Sequence, residues 1–320
     1  MNNRVMTATV LAATLLLGAC TSQAQPAASG ESIDNCGMPL DMSTPVHRAV
    51  TTEQGATDTL LALGQAGNMA GTSHLKDAVL PEHQDEFDSI PVLSDSIATA
   101  EQIRNADADL IYAPFISVFT ADQSGTREEW QDLGVRTFVT NTQCPDHGEN
   151  AGQGYFDLLE KDFRELGELF DAPERAEELI ERQRAAVTAA GEVDTGESVV
   201  FLYSVYEGAP YIAGGSGIAQ EMSDLLGLRN VFADVSEEWP EISWEAIADA
   251  DPDHIILADL PGRGAPGDPW QDKVEMMEQN PAMAHTRAVM EGNYIVVPGV
   301  GLAPSARSHE PLEILTEELQ

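Results

Sequence analysis

The chain alternates short apolar runs with segments predicted to be helical. Residues 199–203 and 255–258 are apolar runs with the length of buried strands. A predicted helix at 218–226 follows the glycine-rich segment 214–217. The same succession of strands and helices, joined by short connections, recurs along most of the chain. It predicts an α/β fold in which parallel sheets are covered by helices on both faces.

The middle of the chain departs from this alternation. Apolar residues recur at helical spacing from Leu158 to Phe170, and Pro173 then restarts a helix that continues to about Ala190 without a glycine. Such a helix is a stiff connector between two α/β segments. We therefore predict an N-terminal lobe at 46–171, a connecting helix at 172–191 and a C-terminal lobe at 192–320.

Two stretches of the chain, 144 positions apart, are nearly the same. Residues 101–112 read EQIRNADADLIY and residues 245–256 read EAIADADPDHII, so six of twelve aligned positions are identical. Each copy begins with a glutamate at the start of a short helical turn and ends in an apolar strand. Because the copies lie about half a chain apart, they predict two similar lobes and not a solenoid.

The N-terminal residues predict a location outside the cytoplasm. Arg4 precedes an apolar run at 10–17 that is too short for a permanent membrane span and is typical of a signal peptide. Residues 17–20 (LGAC) resemble a bacterial lipobox, which predicts a signal peptide at 1–19 and lipidation of Cys20. Residues 20–45 would then be the lipidated N-terminus and a flexible tether. An ordinary signal peptide cleaved nearby is the alternative.

The charge excludes some partners. Against 16 Lys and Arg the chain has 54 Asp and Glu, a net charge of −38 spread along its length. Nucleic acid needs a basic surface, so we expect no nucleic-acid partner. A dispersed acidic surface suits a protein that stays soluble in high salt, although an ordinary acidic extracellular protein has the same composition.

Two cysteines remain after Cys20. Cys36 and Cys144 lie in segments that resemble turns at strand ends, and neither has a partner at metal-binding spacing. Outside the cytoplasm such a pair is typically bridged, so we predict a disulfide bond; two buried thiols are the alternative.

Motifs for catalysis and for metal binding do not appear. Ser216 lies in a glycine-rich segment, but Ile218 breaks the spacing of a nucleophile elbow, and the phosphate-loop and zinc-protease motifs are missing. We therefore predict that the chain is not an enzyme, with a lipoprotein hydrolase as a remote alternative. The seven histidines are scattered, so their spacing defines no metal site.

The order of several short segments resembles one known family. The matching segments are 54–57 (QGAT), 60–64 (LLALG), 90–94 (IPVLS), 108–112 (ADLIY), 125–128 (GTRE), 230–234 (NVFAD), 238–245 (EWPEISWE) and 251–253 (DPD). Together they resemble the iron-siderophore and cobalamin type of substrate-binding lipoprotein that serves ABC importers. The start Asn35-Cys36-Gly37 is similar to an actinobacterial subset of that family.

This resemblance implies a fold and a function. The family fold has two Rossmann-like lobes joined by a long rigid helix, with the ligand in the cleft between them. It implies a monomer that captures a ferric siderophore, needs no cofactor, and delivers its ligand to a permease dimer with its ATPase. Cobalamin, haem, a deazaflavin precursor or a bare metal ion are alternative ligands. Family members dock through one glutamate on each lobe, and the matching residues are Glu101 and Glu245.

Open α/β sheets bind ligands beyond the carboxyl ends of their strands, which selects candidate cleft residues. Aromatic planes suit a bulky chelate, and arginines suit its oxygen atoms. Each candidate also has a structural interpretation, since a tyrosine can belong to the core and an arginine can pair with a nearby acid. The predicted ligand-binding residues are Gln54, Tyr112, Phe115, Arg127, Tyr203, Tyr206, Trp239 and Arg307, with Glu53, Asp259 and the segment 214–216 close by.

Overall fold

The computed structural model describes residues 32–320 of the chain. The predicted signal peptide at 1–19 and the predicted lipidation site Cys20 lie outside the described residues. Within residues 32–320, no helix combines the length and the apolar character that crossing a bilayer requires.

The described chain begins with a small hairpin. Strand β1 (Ser32–Asn35) pairs with β2 (Met38–Asp41) in antiparallel register. Cys36 in the turn forms a disulfide bond with Cys144. The hairpin corrects the expectation that the flexible tether extends to residue 45, because residues 32–41 are held by strand pairing and by a covalent bond to the lobe.

The N-terminal lobe contains one parallel sheet. Its strands are β3 (Ala49–Thr51), β4 (Met69–Ser73), β5 (Val92–Ser94), β6 (Leu110–Ala113) and β7 (Arg136–Val139), in the order β5-β4-β3-β6-β7. Its helices are α1 (Gln54–Ala62), α2 (Gln84–Phe87), α3 (Ala100–Asn105) and α4 (Arg127–Asp132). Because β6 lies inside this sheet, all four of its residues are buried.

A second sheet forms the C-terminal lobe. After helices α5 (Tyr155–Leu169) and α6 (Pro173–Ala190) come strands β8 (Ser198–Tyr206), β9 (Ala209–Ile212), β10 (Arg229–Asn230), β11 (His254–Asp259) and β12 (Tyr294–Pro298). The order β10-β8-β11-β12 is parallel, and β9 forms an antiparallel hairpin with β8. The remaining helices are α7 (Ile218–Leu225), α8 (Trp244–Ala250), α9 (Trp270–Gln279), α10 (Arg287–Glu291) and α11 (His309–Glu318).

Helix α6 lies between the segments that form the two sheets. It packs against α5 and against the C-terminal helix α11, and it buries Leu179, Ile180 and Gln183. Pro173 stands at its first turn, where a missing N–H is tolerated. The two parallel sheets and this helix confirm the predicted α/β class. The boundaries placed at residues 171 and 191 stay predictions.

The sequence repeat has the same local geometry in both lobes. Asp109 accepts a hydrogen bond from the backbone N–H of Arg48, next to β3, at 3.0 Å. Asp253, its counterpart, accepts one from the backbone N–H of Ser198, at the start of β8, at 2.8 Å. Each aspartate therefore joins the strand of its own repeat copy to a neighbouring central strand.

Candidate ligand-binding cleft

An aromatic wall lies at the carboxyl end of β8. The rings of Tyr203 and Trp239 are in contact, with their centroids 4.7 Å apart and their planes tilted by 36°. The guanidinium of Arg263 lies 5.9 Å from the Tyr203 ring centroid, within the range of a cation–π contact. Tyr206 and Tyr211 complete the lining of a shallow cavity of about 260 Å³.

The N-terminal lobe supplies a charged wall. Lys76 follows strand β4 and forms a buried ion pair with Glu53, the N-cap residue of α1. The ammonium of Lys76 also lies 5.6 Å from the ring centroid of Phe115. Both walls stand at the carboxyl ends of parallel strands, the edge where open α/β sheets bind ligands.

The two walls approach each other closely. A Cβ atom added at Gly262, next to Arg263, would stand only 2.4 Å from the carbonyl oxygen of Lys76. Burial alone would lower the pKa of Lys76, but Tyr203 and Glu53 outweigh it and the pKa is raised. Lys76 therefore stays charged at the junction of the lobes.

His74 stands beside this junction with a free nitrogen. Its backbone has a φ of 54°, and its buried Nδ1 has no hydrogen-bond partner. Burial and the charge of Lys76 lower the pKa of His74. The imidazole is therefore neutral at physiological pH, with a buried nitrogen that has no hydrogen-bond partner in the protein.

Gln54 and Arg307 are buried and engaged within the protein, which corrects their predicted role as ligand contacts. Gln54 donates to the Asp58 carboxylate and accepts from the backbone N–H of Lys76. Arg307, on the loop before α11, pairs with Asp58 at 3.6 Å and with Glu310 at 2.9 Å. These contacts join α1 to the segment that precedes α11.

Tyr112 and Arg127 also lie away from the cleft, and their predicted role is corrected. Tyr112 is 1% exposed and packs edge-on against Phe138 in the core, at 5.3 Å between centroids. Arg127 is buried beneath the N-terminal hairpin, where its guanidinium donates to the Asn35 carbonyl and to Thr137 Oγ1. Both side chains serve the packing of the first lobe.

The structure brings four predicted residues to the cleft: Phe115, Tyr203, Tyr206 and Trp239. It adds four that the sequence did not identify: His74, Lys76, Tyr211 and Arg263. His74, Lys76 and Arg263 follow the ends of β4 or β11, so a search extended a few residues beyond each strand end would have found them, whereas Tyr211 lies within the hairpin strand β9. Asp259, at the end of β11, instead accepts the backbone N–H of Trp270 and caps α9.

The two repeat glutamates lie on corresponding helices. Glu101 is the second residue of α3 and Glu245 is the second residue of α8, and both are exposed. Their helices are capped alike, by Thr99 and by Ser243. Each lobe therefore presents one carboxylate at an equivalent helix N-terminus.

Among residues 32–320, no group of three or more His, Cys, Asp or Glu side chains is arranged to hold a metal ion. The chain belongs to the family described as periplasmic binding protein, whose pattern matches residues 50–300. Members of this family bind solutes outside the cytoplasm for ABC-type transport, so the class of protein predicted from the sequence is confirmed. No curated protein matches the chain.

Solved structures have the same fold. A periplasmic binding protein from Veillonella parvula has a TM-score of 0.75 at 25% identity, over 90% of this chain and 97% of its own. An ABC-type Fe³⁺-hydroxamate transport structure from Saccharomonospora viridis has a TM-score of 0.72 at 25% identity, over 90% and 98%. The haem-binding protein RhuT from Roseiflexus has a TM-score of 0.65 at 20% identity, over 85% and 97%.

Proposed function

We propose that this chain captures a ferric siderophore between its lobes and delivers it to the permease of an ABC importer. The observation that carries the proposal is the contact between the rings of Tyr203 and Trp239, with Arg263 against the Tyr203 ring. Aromatic faces offer a bulky chelate a large contact area, and a guanidinium donates to carbonyl or hydroxamate oxygens.

The overall charge favours some chelates over others. A net charge of −38 repels an anionic ligand, so a neutral or cationic ferric chelate enters the cleft more readily. Ferric hydroxamates have this charge, and the Saccharomonospora viridis structure is described as part of an Fe³⁺-hydroxamate transport system. A ferric trihydroxamate is therefore the first ligand to test.

Haem is the second candidate, and His74 is the observation that favours it. The Nδ1 of His74 is a buried, neutral imidazole nitrogen without a protein partner, near Lys76 and Arg263 at the junction of the lobes. Imidazole is a common axial ligand of haem iron. Haem bound in this way would shift its Soret band, and His74→Ala would abolish the shift.

Delivery would use the two repeat glutamates. Glu101 and Glu245 would contact basic side chains on a permease dimer that works with its ATPase, with the binding protein acting as a monomer. Exposed charges of this kind set orientation and association rate more than affinity. Lipidation of Cys20 would hold the protein at the outer face of the cell membrane, and mass spectrometry of the mature N-terminus tests that anchor.

Trp239 provides the direct test of ligand binding. Because its ring lies in the cleft wall, a bound ferric chelate should quench its fluorescence. We expect saturable quenching by a ferric trihydroxamate in a series that also contains a ferric catecholate, cobalamin and haem. Absence of a response to every ferric chelate would overturn the siderophore proposal.

Two variants assign the signal to the cleft. Trp239→Phe should remove most of the quenching. Trp130→Phe is the matched control, because Trp130 lies on α4 with its ring buried in the first lobe, and its indole N–H donates to the carbonyl of Ser124. Quenching that survives Trp239→Phe but disappears with Trp130→Phe would place the ligand elsewhere.

A further inference from the structure

A loop between β11 and α9 crosses from the second lobe toward the first. Residues 260–268, which we call the strap, contain three glycines and two prolines. At Gly262 the strap touches the backbone of Lys76 so closely that no side chain fits. The next residue, Arg263, faces Tyr203 in the cleft. The path of the strap therefore determines where Arg263 stands.

A buried lysine holds both ends of the strap. Lys273 on α9 is fully buried, and its Nζ donates to the carbonyl of Ala258 at 2.6 Å and to the carbonyl of Asp268 at 2.5 Å. Ala258 precedes the strap and Asp268 is its last residue. The backbone hydrogen bond from Leu260 to Asp268, at 3.2 Å, closes the same base.

Burying the Lys273 ammonium costs free energy. The structure that its hydrogen bonds hold together must account for that cost. The two hydrogen-bond partners of the ammonium are backbone carbonyls, and burial lowers the pKa of Lys273 to about 8, although the carboxylates of Asp268, Asp259 and Asp272 oppose the shift. A methionine of similar length would fill the same core space without that cost. The charged group is therefore explained by what its hydrogen bonds hold together.

From Lys273 the contacts lead directly into the cleft. Asp268, whose carbonyl accepts from Lys273, also directs its carboxylate to the guanidinium of Arg263 at 3.5 Å. Arg263 in turn lies over the ring of Tyr203. Each of these residues touches the next, so a displacement at the strap base moves the guanidinium.

We propose that Lys273 is a positioning residue for ligand binding, which acts through Asp268 to hold Arg263 over Tyr203. This inference rests on the proposed function, because it assumes that the ligand contacts Arg263. Lys273 itself never reaches the ligand.

A double-mutant cycle tests this chain of contacts, with a ferric trihydroxamate as the probe. Lys273→Met alone should weaken binding about tenfold, within the range of coupling between contacting residues. In the Arg263→Ala background, Lys273→Met should change affinity by less than about twofold, because the group it positions is gone. Independent, additive losses would overturn the proposal, and so would unchanged affinity in Lys273→Met.

Met277→Ala is the matched control for a damaged core. Met277 is also fully buried on α9, one turn beyond Lys273. This variant should lower the stability of the lobe and leave affinity for the chelate unchanged. A loss of affinity as large as that of Lys273→Met would mean that any defect in this core disturbs the cleft.

Two further measurements keep the test decisive. If Lys273→Met does not fold, Asp268→Asn takes its place in the same cycle, since it keeps the carbonyl that accepts from Lys273 but weakens the ion pair with Arg263. Hydrogen exchange of the strap amides needs no ligand, and Lys273→Met should accelerate it. If the wild type binds no chelate, the proposed function is wrong, but the hydrogen-exchange measurement still tests the role of Lys273. If the strap amides exchange at the same rate in Lys273→Met as in the wild type, the positioning role is wrong.

Discussion

Glu101 and Glu245 occupy the same place in the two lobes: each is the second residue of a helix that opens one copy of the sequence repeat. Both carboxylates are exposed, and the cap residues Thr99 and Ser243 accept from the backbone of the third helical residue in the same way. A two-fold symmetric partner could therefore meet both carboxylates at once.

Replacing both glutamates should abolish uptake without changing ligand affinity. In Glu101→Ala/Glu245→Ala the cleft is untouched, so fluorescence titration should give the wild-type dissociation constant. Uptake of labelled ferric chelate by whole cells should fall to the level of a strain without the binding protein. If uptake survives, the docking role is wrong.

Glu128 provides a control for the alternative that these glutamates only stabilise helices. It is also an exposed second helical residue, in α4, where an acid interacts favourably with the helix dipole. Glu128→Ala should cost the same few tenths to about 1 kcal/mol of stability as either single docking variant. It should leave uptake intact.

Removing the disulfide bond should destabilise the first lobe. Cys36 and Cys144 close a loop with a sequence separation of 108, for which the chain-entropy model gives about 4–5 kcal/mol. We expect Cys36→Ser/Cys144→Ser to lower the free energy of unfolding by an amount of this order in urea titrations. A double variant that unfolds at the wild-type midpoint would contradict it. The cleft residues Tyr203 and Trp239 lie on the other lobe, so ligand quenching in the folded variant should persist.

Much of this architecture is predictable from the sequence because it depends on local patterns. Buried strands of a parallel sheet appear as apolar runs, and the repeat shows that the chain contains two similar lobes. Tyr203 was predicted for the cleft because it lies close to the end of such a run. Tyr112 has the same kind of position in the first lobe, yet both faces of its strand are covered, so its ring lies in the core.

The remaining cleft residues depend on contacts between distant segments. Arg263 reaches the cleft only because Gly262 allows close approach to Lys76 and because Lys273 holds the strap base. Conversely, Arg307 has the chemistry of a ligand contact but pairs with Glu310 at 2.9 Å and, across 249 positions, with Asp58 at 3.6 Å. No local pattern reports pairings at this separation.

The Arg307 and Asp58 pair predicts a strong effect on stability. The two side chains are 7% and 4% exposed and join the lobes. Arg307→Met should lower the free energy of unfolding by about 3–5 kcal/mol at pH 8, because it removes the cation that the Asp58 and Glu310 carboxylates share. Burial already raises the pKa of Asp58 to about 7, so the loss should shrink at pH 5, where this carboxyl is protonated.

Urea unfolding of paired variants separates this effect from simple loss of packing. Asp58→Asn should recover part of the stability when it is combined with Arg307→Met, since the buried Asp58 charge is removed and only the partly exposed Glu310 carboxylate loses its partner. The exposed pair of Arg175 and Glu178, at 2.8 Å, is the comparison, and Arg175→Met should cost at most about 1 kcal/mol. Equal losses for the two arginine variants would contradict the interpretation.

Asp162 predicts a specific pH dependence of stability. Its carboxyl is fully buried on α5, where Oδ1 accepts from the backbone and side-chain N–H groups of Asn141 at 2.8 and 2.6 Å. Burial and the neighbouring Glu165 raise the pKa of Asp162 well above its ordinary 3.8, although Asn141 and Lys161 oppose the shift. The native state therefore holds this proton more tightly than the unfolded chain does.

Asp162→Asn removes that titration while its amide oxygen can still accept from Asn141. The free energy of unfolding of the wild type, relative to this variant, should fall as pH rises from about 4 through the native pKa of Asp162, since the unfolded chain loses the proton first. Chemical denaturation between pH 4 and 9 measures the difference directly. Asp157→Asn, an exposed change on the same helix, should give a curve parallel to that of the wild type. A wild-type advantage that grows with pH would mean that Asp162 is stabilised as a carboxylate.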